Sequence, residues 1–390
     1  MASPTPVHEE RKTAAPMLPP GEAIERLLAG MTQLDASDLH IKVGYAPYYR
    51  ITGKLRKLDM APFPDNAYVE AMLHNLIPES RRGELERHGA LDFSARGSTG
   101  DRYRVNIFRA TAESHVSIRR VRSRIPTFEE LSLPDVYRQT ILNTMDGLIL
   151  VSGVTGSGKS STLAAMIEYV NQHRSLHVIT IEDPIEYVFH AKKSIISQRE
   201  IGIDVPNYHE ALRYVVRQDP DCILIGELRD RETMVAGLQA AETGHLVLGS
   251  LHVADAPQTF TRILEFFPRE EHAFIRSSLS NSLRAIFCQR LLPGIEEGKR
   301  YPATEVLLRN STVRDKILHE EDGDLPAVII QCEQEGMRSF TQSLCELIET
   351  EKVHYDTAME YAPNREALQS AVKGIKATAQ TLVTRTRSAR

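Results

Sequence analysis

The sequence has few cysteines, no long hydrophobic run and no excess of positive charge, and each shortage argues against a class of protein. The four cysteines are scattered along the chain, with no CxxC pair and no histidine at zinc-ligand spacing. They are Cys222, Cys288, Cys332 and Cys345. This pattern argues against a zinc cage and predicts reduced thiols, as in a cytosolic chain.

The longest apolar run lies around Leu148 to Val151. It is far shorter than the roughly 20 residues that a membrane-spanning helix needs. The first residues, MASPTPVHEERKTAAPMLPPGE, contain no apolar segment of the kind found in secretory signals. We therefore expect a protein that stays in the cytoplasm.

The net charge of −5 argues against a dedicated duplex-binding protein, because such proteins usually carry a basic surface that displaces the counterions of phosphates. With 42% hydrophobic and 25% charged residues, the composition is that of an ordinary globular protein. A chain of 390 residues exceeds the roughly 250 to 300 residues of one typical core. Two domains are therefore expected.

Composition and the order of patterns predict the domain boundaries. The predicted segments are a disordered arm (1–21), an N-terminal domain (22–121), a Pro-bounded linker and candidate hinge (122–134), a second domain with a helical C-terminal part (135–375) and a flexible tail (376–390).

The first domain is expected to be α+β. Its predicted elements are a helix over Glu22–Met31, a hairpin within His40–Leu58, a helical stretch over Ala67–His88, and strands in LDFSARG, Asp101–Ala110 and Ser114–Val121.

The second domain alternates apolar strands, LILVSG, HVITIE, CILIGE and HLVLGSLH, with helical stretches of ten or more residues. This alternation predicts an α/β fold with a parallel sheet, whose ligands bind at the carboxyl ends of the strands. The last hundred residues are predicted to be mostly helical, with an acidic break at HEEDGD (319–324).

Residues 153–160, GVTGSGKS, match the P-loop pattern G-x-x-x-x-G-K-[ST] between a strand and a helix. Backbone N–H groups would surround the phosphates, Lys159 would reach the β- and γ-phosphates of ATP, and the Ser160 hydroxyl would bind Mg²⁺. The predicted nucleotide-binding residues here are Gly153, Thr155, Gly156, Ser157, Gly158, Lys159, Ser160 and Ser161.

A P-loop enzyme also needs carboxylates, and in many such proteins an Asp closes the next hydrophobic strand. Here CILI is followed by Gly226 and Glu227, so Glu227 is the candidate general base for water. Further carboxylates are expected in EDPIE (182–186). Glu182 and Asp183 would lie near the nucleotide. Glu182 and Glu186 would be Mg²⁺ ligands.

Two histidines flank the strand LVLGSL, His245 before it and His252 at its end. Their odd spacing places them on opposite faces of a regular strand, so at most one should point at the nucleotide. We select His252 as the γ-phosphate contact. From the residues alone, we interpret four arginines as solvated surface residues: Arg104, Arg119, Arg213 and Arg217.

Taken together, these motifs are typical of one protein family. From Ala36 to Gly336 and beyond, the chain resembles the secretion-system ATPase superfamily, and specifically the PilT-like twitching-motility ATPases of type IV pili. The resemblance rests on ASDLHI, YRVNIF, GLILVSGVTGSGKSS, ITIEDPIEYVF, QREIG, RQDPDCILIGELRDRET and AAETGHLVLGSLH.

The resemblance implies a PAS-like first domain, a RecA-like P-loop core and a homohexamer. It also implies that Glu182–Glu186 is an Asp box with Glu186 catalytic, that Gly226–Glu227 is an atypical Walker B motif, and that His245 and His252 form a His box. Arg104, Arg119, Arg213 and Arg217 would surround the phosphates, some of them across subunits.

The implied function is ATP-driven pilus retraction, exerted on a platform protein of the inner membrane. The resemblance also implies a second retraction ATPase as a further partner. A missing extra N-terminal domain and a missing four-cysteine zinc element favour retraction over assembly. The segment NSTVRDKILHEEDGDLPAV departs from the retraction pattern, which leaves a PilU-like accessory or another filament ATPase as the alternative. A RecA-like translocase would need basic and aromatic channel loops, and none stands out.

Overall fold

A computed structural model of the chain describes residues 18–98, 100–121 and 124–374. The predicted tail 376–390 and most of the predicted arm 1–21 lie outside these residues. The last residues of the arm are described, and a helix begins within them, at Pro20.

The chain divides into two compact units, with the boundary between Ser123 and Arg124. This boundary lies inside the predicted linker 122–134. Phe128 and Leu133 belong to the second unit, where they are buried in a cluster of apolar side chains. Part of the predicted linker is therefore packed into the second unit.

The first unit is an antiparallel sheet with helices on one face. Its strand order is β3-β2-β1-β6-β5-β4. Ile24, Leu27, Leu28 and Met31 recur at helical spacing on α1 and pack with the apolar side chains of the sheet. The elements are α1 (Pro20–Gln33), β1 (Asp38–Lys42), β2 (Tyr48–Ile51), β3 (Lys54–Lys57), α2 (Asn66–Leu73), α3 (Glu84–His88), β4 (Ala90–Arg96), β5 (Arg102–Ala110) and β6 (Glu113–Val121).

The predicted helical stretch Ala67–His88 is broken in the structure. α2 ends at Leu73, a single 3-10 turn covers Glu79–Arg81, and α3 is short. Pro78 precedes the turn with an extended backbone, and proline lacks the N–H that a continuous helix would need. The α+β character of this unit agrees with the prediction.

The second unit is a seven-stranded sheet with helices on both faces and a helical C-terminal region. Its elements are α4 (Asp135–Asn143), β7 (Gly147–Ser152), α5 (Lys159–His173), β8 (His177–Glu182), β9 (Ile195–Glu200), α6 (Tyr208–Val215), β10 (Cys222–Ile225), α7 (Arg231–Glu242), β11 (Leu246–Leu251), α8 (Ala256–Glu265), α9 (His272–Ser282), β12 (Leu283–Pro293), β13 (Arg300–Leu308), α10 (Ser311–Leu318), α11 (Leu325–Gln331), α12 (Phe340–Glu349), α13 (Tyr355–Tyr361) and α14 (Arg365–Val372).

The strand order of this sheet is β13-β12-β7-β11-β10-β8-β9. All neighbours are parallel except β12 and β13, so the predicted parallel sheet is confirmed and carries one antiparallel edge strand. Alternate residues of β7 enter different clusters, with Leu148 and Leu150 in one and Ile149 and Val151 in the other. Burial on both faces explains why this strand is continuously apolar.

Three strands of the second unit were not predicted. β9 lies at an edge and only its last residue is buried, so its sequence IISQRE lacks a continuous apolar signal. β12 and β13 form a long antiparallel pair, and most of it falls in the last hundred residues, which were predicted to be mostly helical. The acidic break is confirmed as a turn and a 3-10 helix, Asp322–Asp324, between α10 and α11.

Within the described residues, no helix is both long enough and apolar enough to cross a membrane.

Candidate nucleotide-binding site

The P-loop connects the carboxyl end of β7 to the amino end of α5. Gly156 and Gly158 have φ angles of 78° and 94°, in the left-handed region that favours glycine. Gly153 has a φ of 155°, and a Cβ atom there would lie 2.5 Å from the carbonyl oxygen of Gln289. The first N–H groups of α5 lack acceptors within the helix, so this loop and helix start can bind an anion.

Lys159 is the first residue of α5, and only 7% of it is exposed. Its Nζ donates hydrogen bonds to the carbonyl oxygens of Gly153, at 2.8 Å, and Val154, at 3.3 Å. Burial lowers the pKa of the Lys159 amine, while the carboxylates of Glu227 and Glu186 oppose this shift. Both predicted carboxylates thus act electrostatically on the P-loop lysine.

His252 and Glu227 follow the ends of the neighbouring parallel strands β11 and β10. Nδ1 of His252 lies 3.5 Å from Nζ of Lys159 and 3.4 Å from Oγ1 of Thr155, and Nε2 lies 3.7 Å from Oε1 of Glu227. Burial and the charge of Lys159 lower the pKa of His252, and Glu227 opposes them. The lowered pKa favours the neutral imidazole, which has one N–H to donate.

The acidic segment after β8 is held by hydrogen bonds. Glu182 accepts through Oε1 from Thr180, at 2.6 Å, and from Nε2 of Gln198, at 3.3 Å. Burial raises the pKa of Glu182 against the effect of these hydrogen bonds. Tyr187, one residue after Glu186, places its hydroxyl 2.8 Å from Oγ of Ser161 on α5. These contacts attach the segment to the helix that follows the P-loop.

Comparison with known proteins identifies the family. Residues 21–388 match the family described as type II/IV secretion system protein. The chain belongs to this family.

The chain is similar to two ATPases of Pseudomonas aeruginosa. The chain is 37% identical to the type IV pilus retraction ATPase PilT over 87% of this chain and 98% of that protein. It is also 37% identical to the type IV pilus ATPase PilU, over 90% of this chain and 91% of that protein. The resemblance predicted from the motifs is confirmed.

The fold has a solved counterpart. The crystal structure of the pilus retraction motor PilT with bound ADP matches at a TM-score of 0.82 and 39% identity, covering 89% of this chain and 98% of that one. With this match and the P-loop geometry, the protein is an ATPase of the type II/IV secretion family.

His245 lies away from the P-loop of its own chain, and its role at a nucleotide stays a prediction. It precedes β11, whereas His252 follows it, and seven residues of extended chain span roughly 23 Å. Nδ1 of His245 lies 2.9 Å from the carbonyl oxygen of Ala240 and 3.2 Å from Oγ1 of Thr243, at the end of α7. The structure therefore places His245 at the sheet edge opposite the P-loop of its own chain, where it caps a helix.

Arg213 and Arg217 are exposed on α6 and the 3-10 turn that follows it. The guanidinium of Arg213 lies over the ring of Tyr214. The backbone carbonyl oxygen of Asp219, two residues after Arg217, accepts a hydrogen bond of 3.0 Å from Nδ1 of His177 at the amino end of β8. Arg217 is therefore at the edge of the sheet opposite the P-loop of its own chain.

Arg104 and Arg119 lie directly opposite each other on β5 and β6 of the first unit. Arg104 forms an ion pair with Asp92, at 2.6 Å, and Arg119 forms one with Asp38, at 2.9 Å. Burial raises the pKa of Asp38, but hydrogen bonds from Ser37 and Arg119 outweigh it and lower the pKa overall. A role of these arginines at a phosphate stays a prediction.

Sequence reasoning missed three side chains that hold the site. Gln289 on β12 and Gln198 on β9 bond to the P-loop and to the acidic segment, and Tyr187 contacts Ser161. A polar residue inside an apolar strand is a weak signal, and Gln289 in AIFCQRLL is one. Gln198 is the first residue of the motif QREIG, but the motif does not indicate which residues it contacts.

Proposed function

We propose that this protein is the ATP-hydrolysing motor of type IV pilus retraction and works as a homohexamer. The observation that carries the proposal is the grouping of Lys159, Glu227 and His252 at the P-loop in a chain similar to PilT over most of its length. A P-loop supplies phosphate binding, and a carboxylate beside it supplies the means to activate water.

In the proposed reaction, the loop N–H groups bind the phosphates of ATP. Lys159 exchanges its hydrogen bonds to the loop carbonyls for the β- and γ-phosphate oxygens, whose negative charge it balances. Neutral His252 donates one N–H to the γ-phosphate. Glu227 accepts a hydrogen bond from the attacking water and orients it for in-line attack.

Two side chains fit a Mg²⁺ site. Ser160 is exposed in the first turn of α5, and the charge of the exposed Glu186 already acts on the adjacent Lys159. Hydroxyl and carboxylate oxygens are ligands that Mg²⁺ prefers. Bound there, the ion would neutralise charge on the β- and γ-phosphates.

Glu182 fits the metal site less well than predicted. Its carboxylate accepts hydrogen bonds from Thr180, Gln198 and the backbone N–H of Glu186. Burial also favours its protonated form, which is a poor metal ligand. We assign Glu182 to holding the turn that presents Glu186.

The positions of the arginines support the proposed ring, as does the family resemblance. Arg217 lies at the sheet edge opposite the P-loop of its own chain, so it serves a phosphate only in a neighbouring subunit. Arg213 lies on the same exposed surface. Arginine supplied across an interface stabilises charge on the transferring phosphoryl group. We assign Arg104 and Arg119 to the same task.

The motor would perform mechanical work because the angle between the two units changes with the bound nucleotide. The proposed hinge for this motion lies before Phe128. The proposed partner is an inner-membrane platform protein of the pilus, with the motor at the cytoplasmic face of that membrane. A second retraction ATPase is a further proposed partner. No stable nucleic-acid partner is proposed.

A PilU-like accessory role is the second candidate, because the identity to PilU equals that to PilT. Deleting the gene in its own bacterium and measuring pilus retraction distinguishes them. Loss of retraction supports the main motor, and retraction at reduced force supports the accessory. Unchanged retraction contradicts both.

The biochemical test is ATP hydrolysis across a protein concentration series, with oligomer mass measured on the same samples. Activity that rises with the hexamer supports the proposal. A protein that remains monomeric while hydrolysing ATP at full rate would contradict the proposed ring.

A further inference from the structure

Gln289 is a buried polar side chain on β12, beside the strand that leads into the P-loop. Only 2% of it is exposed. Nε2 donates a hydrogen bond of 2.7 Å to the carbonyl oxygen of Ser157 in the loop, and Oε1 accepts one of 3.0 Å from the hydroxyl of Thr162 on α5. The amide thus joins the loop to the helix that follows it.

The orientation of this amide is fixed by its partners. A carbonyl oxygen can only accept, so the NH₂ group of Gln289 must face Ser157. The oxygen then faces Thr162, whose hydroxyl can donate. Both polar atoms are satisfied inside the protein, where a buried polar atom without a partner is unfavourable.

We propose that Gln289 is a positioning residue that sets the shape of the phosphate-binding loop. Cys288, its neighbour, is in register with Ser152, the last residue of β7, so Gln289 lies directly beneath the start of the loop. Its carbonyl oxygen lies where a Cβ on Gly153 would approach to 2.5 Å, and Nε2 lies 3.1 Å from a Cβ built on Gly158.

The glycine pattern of the loop thereby gains a local explanation. Two of its glycines face Gln289, one facing its main chain and the other its side chain, so the loop rests on β12 at both ends. The direction of the loop N–H groups, and with it the affinity for phosphate, depends on this support. The proposal rests on the proposed nucleotide site but not on a role in pilus retraction.

The test compares the affinity for ADP of the full chain and its variants, measured below the onset of unfolding of each. Gln289→Met keeps the length and removes both hydrogen bonds. We expect a Kd for ADP about tenfold higher than in the unaltered protein. Thr162→Val removes one of the two bonds and should weaken binding less. The double variant should bind no more weakly than Gln289→Met, because the two residues share one bond.

Thr304→Val is the matched control. Thr304 is in register with Gln289 on β13 and equally buried, and its hydroxyl forms no hydrogen bond, so ADP affinity should be unchanged. A purely structural role for Gln289 predicts that its variant behaves like this control.

An affinity of Gln289→Met within twofold of the unaltered protein overturns the proposal. If that variant does not fold, Thr162→Val decides alone, and an unchanged Kd there overturns it. Failure of the unaltered protein to bind ADP overturns this proposal together with the nucleotide site. Binding of ADP without pilus retraction contradicts only the proposed motor function.

Discussion

His252 and Glu227 approach each other from the ends of two neighbouring strands, with 3.7 Å between Nε2 of the imidazole and Oε1 of the carboxylate. The other imidazole nitrogen lies 3.5 Å from the amine of Lys159. A single side chain therefore lies between the group proposed to bind the γ-phosphate and the group proposed to activate water. The three side chains therefore form one group, and each proposed role is tested by its own substitution.

Glu227→Gln should retain ATP binding and lose turnover, because the amide keeps the size of the side chain but cannot accept a proton. We expect the rate of hydrolysis to fall about 100- to 1000-fold with little change in Kd. Glu242→Gln, at the exposed end of α7, is the control and should be fully active. Normal turnover in Glu227→Gln would show that another group activates water.

Lys159→Ala should weaken nucleotide binding as well as turnover. The amine supplies charged hydrogen bonds, and their loss is expected to raise the Kd for ATP about 10- to 100-fold. Titration with a fluorescent ATP analogue measures this directly. Lys193→Ala, an exposed lysine on the same unit, should bind normally. Equal affinities for the two variants would argue against a phosphate role for Lys159.

Arg217→Ala should abolish hydrolysis if this arginine acts on the neighbouring subunit. Mixing it with Glu227→Gln should then restore part of the activity. In mixed rings, some interfaces combine an intact Glu227 with an intact Arg217 from the other subunit. ATPase measurements across mixing ratios provide the check, since an arginine acting within its own subunit predicts no recovery at any ratio.

The buried carboxyl of Glu305 should make the stability of the protein depend on pH. Burial raises the pKa of Glu305 from 4.5 to about 7, against the effects of the Ala256 N–H and Arg290, while Asp255 adds to the rise. Because the folded state holds this proton more tightly than the unfolded state, the associated stability is fully present below pH 4.5 and is lost as the pH rises through 7.

Glu305→Gln should remove this dependence. Relative to the variant, the unaltered protein should lose up to about 3 kcal/mol of unfolding free energy between pH 4.5 and pH 8. Denaturant unfolding at several pH values measures the difference. Glu297→Gln, an exposed carboxylate on the same unit, should follow the unaltered protein. A constant difference between Glu305→Gln and the unaltered protein would mean that Glu305 does not titrate in this range.

Local pattern was sufficient for much of the fold. β7, β8, β10 and β11 are apolar on both faces, so a single-sequence reading finds them and infers that they are parallel. The prediction of one helical stretch over Ala67–His88 was wrong because Pro78 interrupts it, although the surrounding residues favour a helix. β9 was missed because its sequence lacks a continuous apolar signal. β12 and β13 were missed although both are largely buried, because polar residues interrupt their apolar runs.

The sequence by itself determined the P-loop, the carboxylate after CILI, the histidine after LVLGSL and the family resemblance, because each depends on residues close together in the chain. Tertiary structure alone decided that β12 lies beside β7, which brings Gln289 under the loop, and that His245 and Arg217 lie at the opposite edge. These facts depend on strand order and strand ends. Both arise from contacts between residues far apart in sequence, which no local pattern encodes.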